Sequence, residues 1–380
     1  MAELALGRVG RVERPLRHFD GTLLLSAIAL SAIGVFMQYA SDRSSLLALG
    51  EDPAATAKKQ LAWLVLSAVV LLVSVAFDYR YYKVYAGFFY VGTLALLLLV
   101  RSPLGTTVKG AQRSFQFAGF AFSPSELMKI ALILMLAAYL SERRGELTFW
   151  ELLRACVIGA VPMVLVFIQP DVGTTIVLCA ILVGTLIVAG AKAWHLAVLG
   201  ICAAVLLAGA FQMGFVKTYQ ISRLTGFLDP KTGSSAAYNQ QQSKIAIGAG
   251  GVRGRGYLNG LQTNLAFVPE QHTDFINTAV GEEFGFAGEV AMLFLFGVLI
   301  WRAIRIALLS KDPFGTYVAA GVASMFAIQM FVNIGMTLGI MPITGIPLPF
   351  VSYGGSSLVA SWAAVGLLEN VHMRRFRPPS

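Results

Sequence analysis

Charge is what this 380-residue chain has least of: Asp, Glu, Lys and Arg make up 13% of it, hydrophobic residues 57%, and the mean hydropathy is +0.71. A water-exposed globule carries about twice that share of charge on its surface, so the scarcity places the chain among integral membrane proteins. Cysteine is almost missing too. Cys156, Cys179 and Cys202 all fall in apolar runs, without a close pair or a histidine at metal-ligand spacing, which excludes a disulfide framework and a thiolate metal site and leaves packing residues. No linker divides the chain and no period of about 20 to 50 residues recurs, so one polytopic membrane domain over 1–380 is the simplest organisation. The net charge of +9 does not imply nucleic acid, because the basic residues are scattered over membrane borders, where topology and anionic headgroups account for them.

What the chain does have is long apolar runs. Segments near 21–40, 60–77, 84–100, 124–140, 151–168, 172–190, 194–213, 285–309, 315–340 and 356–371 have the length of a bilayer crossing and predict an all-α bundle of ten spans. The first follows a basic stretch, as a signal peptide would, but its twenty residues are long for a cleavable core and read as a retained anchor. An even count puts both termini on one side. That side carries fifteen basic residues: Arg8, Arg11, Arg14, Arg17, Arg80, Lys83, Arg143, Arg144, Lys192, Arg302, Arg305, Lys311, Arg374, Arg375 and Arg377. The short connections opposite carry Arg43, Lys58, Lys59, Arg101, Lys109 and Arg113, so the positive-inside rule predicts cytoplasmic termini.

Two stretches break the pattern. Residues 214–284 form an extracytoplasmic interval far longer than the other connections, suited to short amphipathic helices joined by turns, and long loops of this kind are usually functional. Within it lies Val268-Pro269-Glu270-Gln271-His272-Thr273-Asp274-Phe275, polar and proline-opened. The second stretch, Met341 to Ser357, holds Pro342, Pro347 and Pro349, which rule out a continuous helix, yet it is apolar, so it dips into the membrane edge, packs under the long loop or serves as a stiff connector.

Polar groups are costly in such a chain, so each candidate has a structural reading and a functional one. Glu126 and Lys129, three apart at the start of the fourth span, share a helix face and face a partner or wet cavity. Alternatively Ser123-Pro124-Ser125-Glu126 is a capping box and Lys129 snorkels. Asp171, in the turn before the sixth span, is a helix cap or a site residue. Arg113 is the best placed of the outer cations Arg101, Lys109 and Arg113 to hold an anionic headgroup or diphosphate. Glu270 and Asp274, four apart, share a face if their segment is helical, and the like charge then raises one carboxyl towards general-base duty. His272 is the rival base, although on a helix it points away from Asp274. Glu282 and Glu283 read as interface or cap residues.

Five ordered motifs resemble the shape, elongation, division and sporulation (SEDS) family over nearly the whole chain: Gly110-Ala111-Gln112-Arg113 with Ser123 to Lys129, Gln169 to Thr174, Gln242 to Gly248, Pro269 to Ile276 and Val351 to Ser357. Leu261-Gln262-Thr263-Asn264-Leu265 and the short termini favour the elongation branch (RodA) over the division branch (FtsW). Ser114 and Ser123 depart from the tryptophan and glutamine usual there, so the wall of the fourth-span cavity is expected to differ. The resemblance implies an inner-membrane peptidoglycan glycosyltransferase that polymerises lipid II with inversion and releases undecaprenyl diphosphate on the outer face. It implies Asp274 as the base and Arg113, Glu126, Lys129, Asp171, Glu270, His272 and Thr273 around the substrate. Arg113, Lys129 or a divalent cation (Mg or Mn) would offset diphosphate charge, and no other cofactor is implied. The implied partner is a class B penicillin-binding transpeptidase of the elongation machinery. A lipid II transporter would need internally repeated broken helices, which the sequence lacks. A docking scaffold would leave the polar residues dispensable.

Overall fold

The computed structural model describes residues 19–103, 105–108, 111–117, 120–143, 145–212, 218–228 and 234–375. Arg8, Arg11, Arg14, Arg17, Lys109, Arg144 and Arg377, which enter the orientation argument, lie outside them, as do 213–217 and 229–233 of the long interval.

A helix occupies each predicted span: α1 (Gly21–Ala48), α2 (Ala55–Ala76), α3 (Tyr79–Leu99), α4 (Pro124–Ser141), α5 (Phe149–Ile168), α6 (Val172–Val188), α7 (Ala193–Gln212), α11 (Ile276–Leu309), α12 (Pro313–Leu338) and α13 (Gly355–Arg374). Among the described residues seven of these are long and apolar enough to cross a membrane by length and composition, and α6 is an apolar helix of 17 residues. The long interval folds into α8 (Thr218–Leu228), α9 (Ser235–Gly250) and α10 (Leu261–Asn264). The chain is a multi-pass helical membrane protein.

Burial separates a hub from a rim. In α4 and α12, 72% of the apolar window is buried in protein, against 22% in α2 and α3, whose Val65, Leu72, Phe88 and Val91 stand exposed to lipid. The hub helices carry the site.

Three features depart from the sequence reading. The connection before α4 holds a small antiparallel sheet, β1 (Thr106–Val108), β2 (Ala111–Phe117) and β3 (Phe120–Phe122), in the order β1-β2-β3. Its register pairs Val108 with Ala111 and Phe117 with Phe120. With three residues each, β1 and β3 are too short for a period of two to stand out, and β2 opens on Ala111-Gln112-Arg113-Ser114 with no apolar alternation. Secondly, α9 is not amphipathic in the expected sense: its buried side sets the polar Gln240 and Ser243 among Ala236, Ala237, Ala246 and Gly250. Gln240 donates to the Met336 and Met341 carbonyls, and Ser243 donates to the Thr337 carbonyl and lies 2.6 Å from Thr278 Oγ1. Side-chain hydrogen bonds to helix ends, rather than an apolar stripe, seat it on α11 and α12.

Thirdly, α11 starts nine residues ahead of the predicted 285 and breaks there, at Gly285, with φ 66° and ψ −161°. Such a break strands backbone groups on both sides. The glycine-rich loop after α9 takes them up. The Glu282 and Glu283 carbonyls accept from Arg255 and Gly256 N–H (both 3.0 Å), and Phe286 and Ala287 N–H donate to Gly251 and Val252 carbonyls (2.9 and 3.1 Å). Glu282, fully buried, accepts from Gln262 and Thr263 N–H and from the Thr263 hydroxyl; it lies inside α11 and caps α10, not the span it was read as preceding.

Candidate active site

The segment Val268 to Phe275 is a succession of turns, not a helix, which corrects the shared-face argument for Glu270 and Asp274. Pro269 has no N–H to give, and Glu270 adopts a left-handed φ of 59°. Its carbonyl then gathers the N–H groups of Thr273 (3.2 Å), Asp274 (3.2 Å) and Phe275 (3.4 Å). The compact turn still turns both carboxylates to one cavity. Buried Val268 and Phe275 pin its ends among Ala236, Met336 and Ile343.

Beneath the turn runs the proline-rich stretch 341–354, which packs under the long loop. Tyr353 N–H donates to the His272 carbonyl (2.9 Å). Asn333 of α12, fully buried, donates to both the Asp274 carbonyl (3.0 Å) and the Ile346 carbonyl (2.7 Å), tying turn and stretch together.

The cavity above them encloses about 320 Å³. Six of the eight residues expected at the site line it: Arg113, Glu126, Asp171, Glu270, Thr273 and Asp274. Strand β2 delivers Arg113, and the Ser123 hydroxyl braces that strand by donating to the Arg113 carbonyl (3.3 Å). That hydroxyl also lies 2.9 Å from Ser125 Oγ and makes no cap to α4, so the capping-box reading fails. Of the two departures from the family pattern, Ser123 lines the cavity, whereas Ser114 is buried on β2 and is not in the lining. Asp171 is both things proposed for it. It caps α6, accepting from Thr174 N–H (3.0 Å) and Thr174 hydroxyl (2.9 Å), and it lines the cavity.

Two expected residues stand behind the wall. Lys129 does not snorkel; its ammonium meets Glu126 Oε2 at 2.6 Å, and the residues are 2% and 7% exposed. Burial this deep makes each residue the other's counterion. His272 turns away, with Nδ1 3.0 Å from Asp42 Oδ1 and its ring edge-on to Tyr353. Tyr353 itself lines the cavity, and burial, then the Asp42 charge, pushes its phenol above the usual value. Asp42 lies beyond the predicted end of the first span, on the part of α1 that runs on to Ala48.

The sequence reading missed Arg223 of α8, which also lines the cavity. Its one signal is the i, i+1 pair Ser222-Arg223 on an amphipathic helix, and a solvated arginine looks the same. Arg113 and Arg223 together give the cavity two guanidinium groups suited to phosphate oxygens. Among the described residues no three His, Cys, Asp or Glu side chains gather as a metal-binding group.

The family described as Cell cycle protein, which groups FtsW, RodA and SpoVE, matches residues 21–376. The chain belongs to this family, the SEDS family. Two relatives show its range. A probable peptidoglycan glycosyltransferase FtsW of Geobacter sp. (strain M18) is 36% identical over 95% of this chain and 98% of its own. The peptidoglycan glycosyltransferase MrdB of Escherichia coli (strain K12) is 35% identical over 94% of each. Among solved structures, a chain of a peptidoglycan synthase complex, described under structural coordination of polymerization and crosslinking, superposes with a TM-score of 0.78 at 29% identity, covering 95% of this SEDS chain and 99% of that one.

Proposed function

We propose that this SEDS protein is a peptidoglycan glycosyltransferase that polymerises lipid II in the cavity above Asp274. The observation that carries the reading is the placing of a base-competent carboxylate, gripped through its own backbone by Asn333, in a cavity that also holds two arginines. An acceptor N-acetylglucosamine 4-hydroxyl attacks the anomeric carbon of a donor N-acetylmuramic acid. The new C–O bond forms as the bond to diphosphate breaks, the electron pair leaves on undecaprenyl diphosphate, and the hydroxyl proton passes to Asp274. Arg113, backed by the Glu126–Lys129 pair, faces the diphosphate. Thr273, Glu270 and Asp171 line the sugar path. His272 supports Tyr353 from behind.

The cavity opens on the extracytoplasmic side, with both termini in the cytoplasm of a cell whose inner membrane holds the protein. The partner is a class B penicillin-binding transpeptidase, a reading supported by the similarity to a chain of a complex concerned with polymerization and crosslinking. The motif Leu261 to Leu265 supports an elongation role. Relatives with division and MrdB names are equally similar, so restoring rod shape or septation in a depleted cell decides the branch.

Purified protein with its transpeptidase partner and lipid II should form glycan strands. Asp274→Asn should slow strand formation by about 10²- to 10⁴-fold, the range of general-base contributions, while still binding the partner. Normal polymerisation by Asp274→Asn would sink the base assignment, and a wild type that never polymerises would leave only transport or scaffolding. Repeating the assay in chelator and then with Mg or Mn tests the proposed use of a cation.

A further inference from the structure

Arg223 and Asp274 meet across one glycine. The Arg223 Nη1 and Asp274 Oδ2 atoms lie 3.2 and 3.4 Å from the point a Cβ on Gly345 would occupy, and Gly345 has φ +75°. The guanidinium and the carboxylate oxygen therefore lie no more than 6.6 Å apart, where the wall has no side chain. Arg113 reaches the same cavity from β2, a separate element. The two arginines are thus not interchangeable.

An inverting transfer separates their duties. Attack and departure occur on opposite faces of the sugar, so the cation beside the base stands on the acceptor's side and not beside the leaving diphosphate. The cavity holds further polar groups besides these two arginines and Asp274. Glu270 belongs to the same turn as Asp274, Glu126 enters from α4 and Asp171 from α6, while Tyr353 contributes a neutral phenol and α9 and α12 present the amides of Asn239 and Asn333. Lys129 is matched by Glu126. A general base must be ionised to accept a proton, and a cation beside it favours that form.

We propose that Arg223 is the positioning residue of Asp274: its guanidinium keeps that carboxylate ionised and fixed against Gly345, leaving the diphosphate to Arg113. The proposal rests on Asp274 being the base, and its failure is separable from failure of that reading.

The test is the pH profile of kcat/KM for lipid II polymerisation by the full chain with its transpeptidase partner. Arg223→Gln should move the acid limb towards neutral pH by about one unit, because an opposite charge at this range shifts a carboxyl by about that much or more. Arg223→Lys, which keeps the charge, should hold the limb near its wild-type place and recover most of the rate. Arg113→Gln should lower kcat/KM and leave the limb where it is. An unmoved limb in Arg223→Gln overturns the proposal. So does an Arg223→Lys protein as impaired as Arg223→Gln, which would mean the guanidinium binds substrate. If Arg223→Gln is too slow to profile, recovery by Arg223→Lys with a wild-type limb carries the proposal and failure to recover ends it. Full activity of Asp274→Asn would instead remove the base reading itself.

Discussion

Lys129 and Glu126 form a buried ion pair of which Glu126 also lines the cavity. Removing one member leaves an uncompensated charge in protein, so Lys129→Met should cost about 3–5 kcal/mol. The double variant Glu126→Gln with Lys129→Met should recover much of it, read as thermal unfolding in detergent. The carboxylates of the site were legible in the sequence because each is expensive in so apolar a chain and demands a partner. Arg223 was not, since only the packing of α8 on α9, where Gly226 lies against Ser234 and Ala237, turns a loop arginine into a wall of the cavity. The capping box at Ser123 illustrates the opposite error. A matching local pattern lost to a tertiary demand, the bracing of β2.

At the scale of elements, the break in α11 was hidden from hydropathy. Residues 276–284 hold Asn277, Thr278, Glu282 and Glu283, too polar for a bilayer run, yet all four are buried against protein and the helix continues through them. The predicted start at 285 fell on the break itself because lipid contact begins there, as exposed Phe286 and Phe294 show. Gly285→Ala would force a Cβ into the left-handed region and to 2.8 Å from the Gly251 carbonyl. The strain alone is about 1–3 kcal/mol, so the variant should unfold at lower temperature and polymerise poorly even when folded, since Asp274 sits just before the displaced helix. The short β-sheet and the polar seat of α9 escaped for a related reason. Both depend on long-range partners and leave no periodic trace.

The whole molecule has two unlike ends. Away from the cavity, the Asp20 carboxylate binds the Arg302 guanidinium while Asp20 N–H donates to Glu369, and Arg374 grips Asp78 and the carbonyls ending α2. These bonds join α1, α2, α11 and α13. The helical frame was legible because most of its members are apolar runs, seven of them among the described residues long enough to cross a membrane; sidedness rests on the distribution of basic residues alone. An exposed cysteine placed by Arg253→Cys should therefore react with a membrane-impermeant maleimide in intact cells, and one placed by Lys311→Cys only after permeabilisation. The reverse labelling would invert the topology.

The tie made by Asn333 also bears on how the protein is synthesised. Arg113, Asp171, Arg223 and Asp274 leave the ribosome in that order, but the turn bearing Asp274 lacks the bonds made by Asn333 and Tyr353 and the wall at Gly345 until those residues have followed. On the proposed reading, a chain stopped before α12 lacks those ties around Asp274 and is not an unrestrained polymerase.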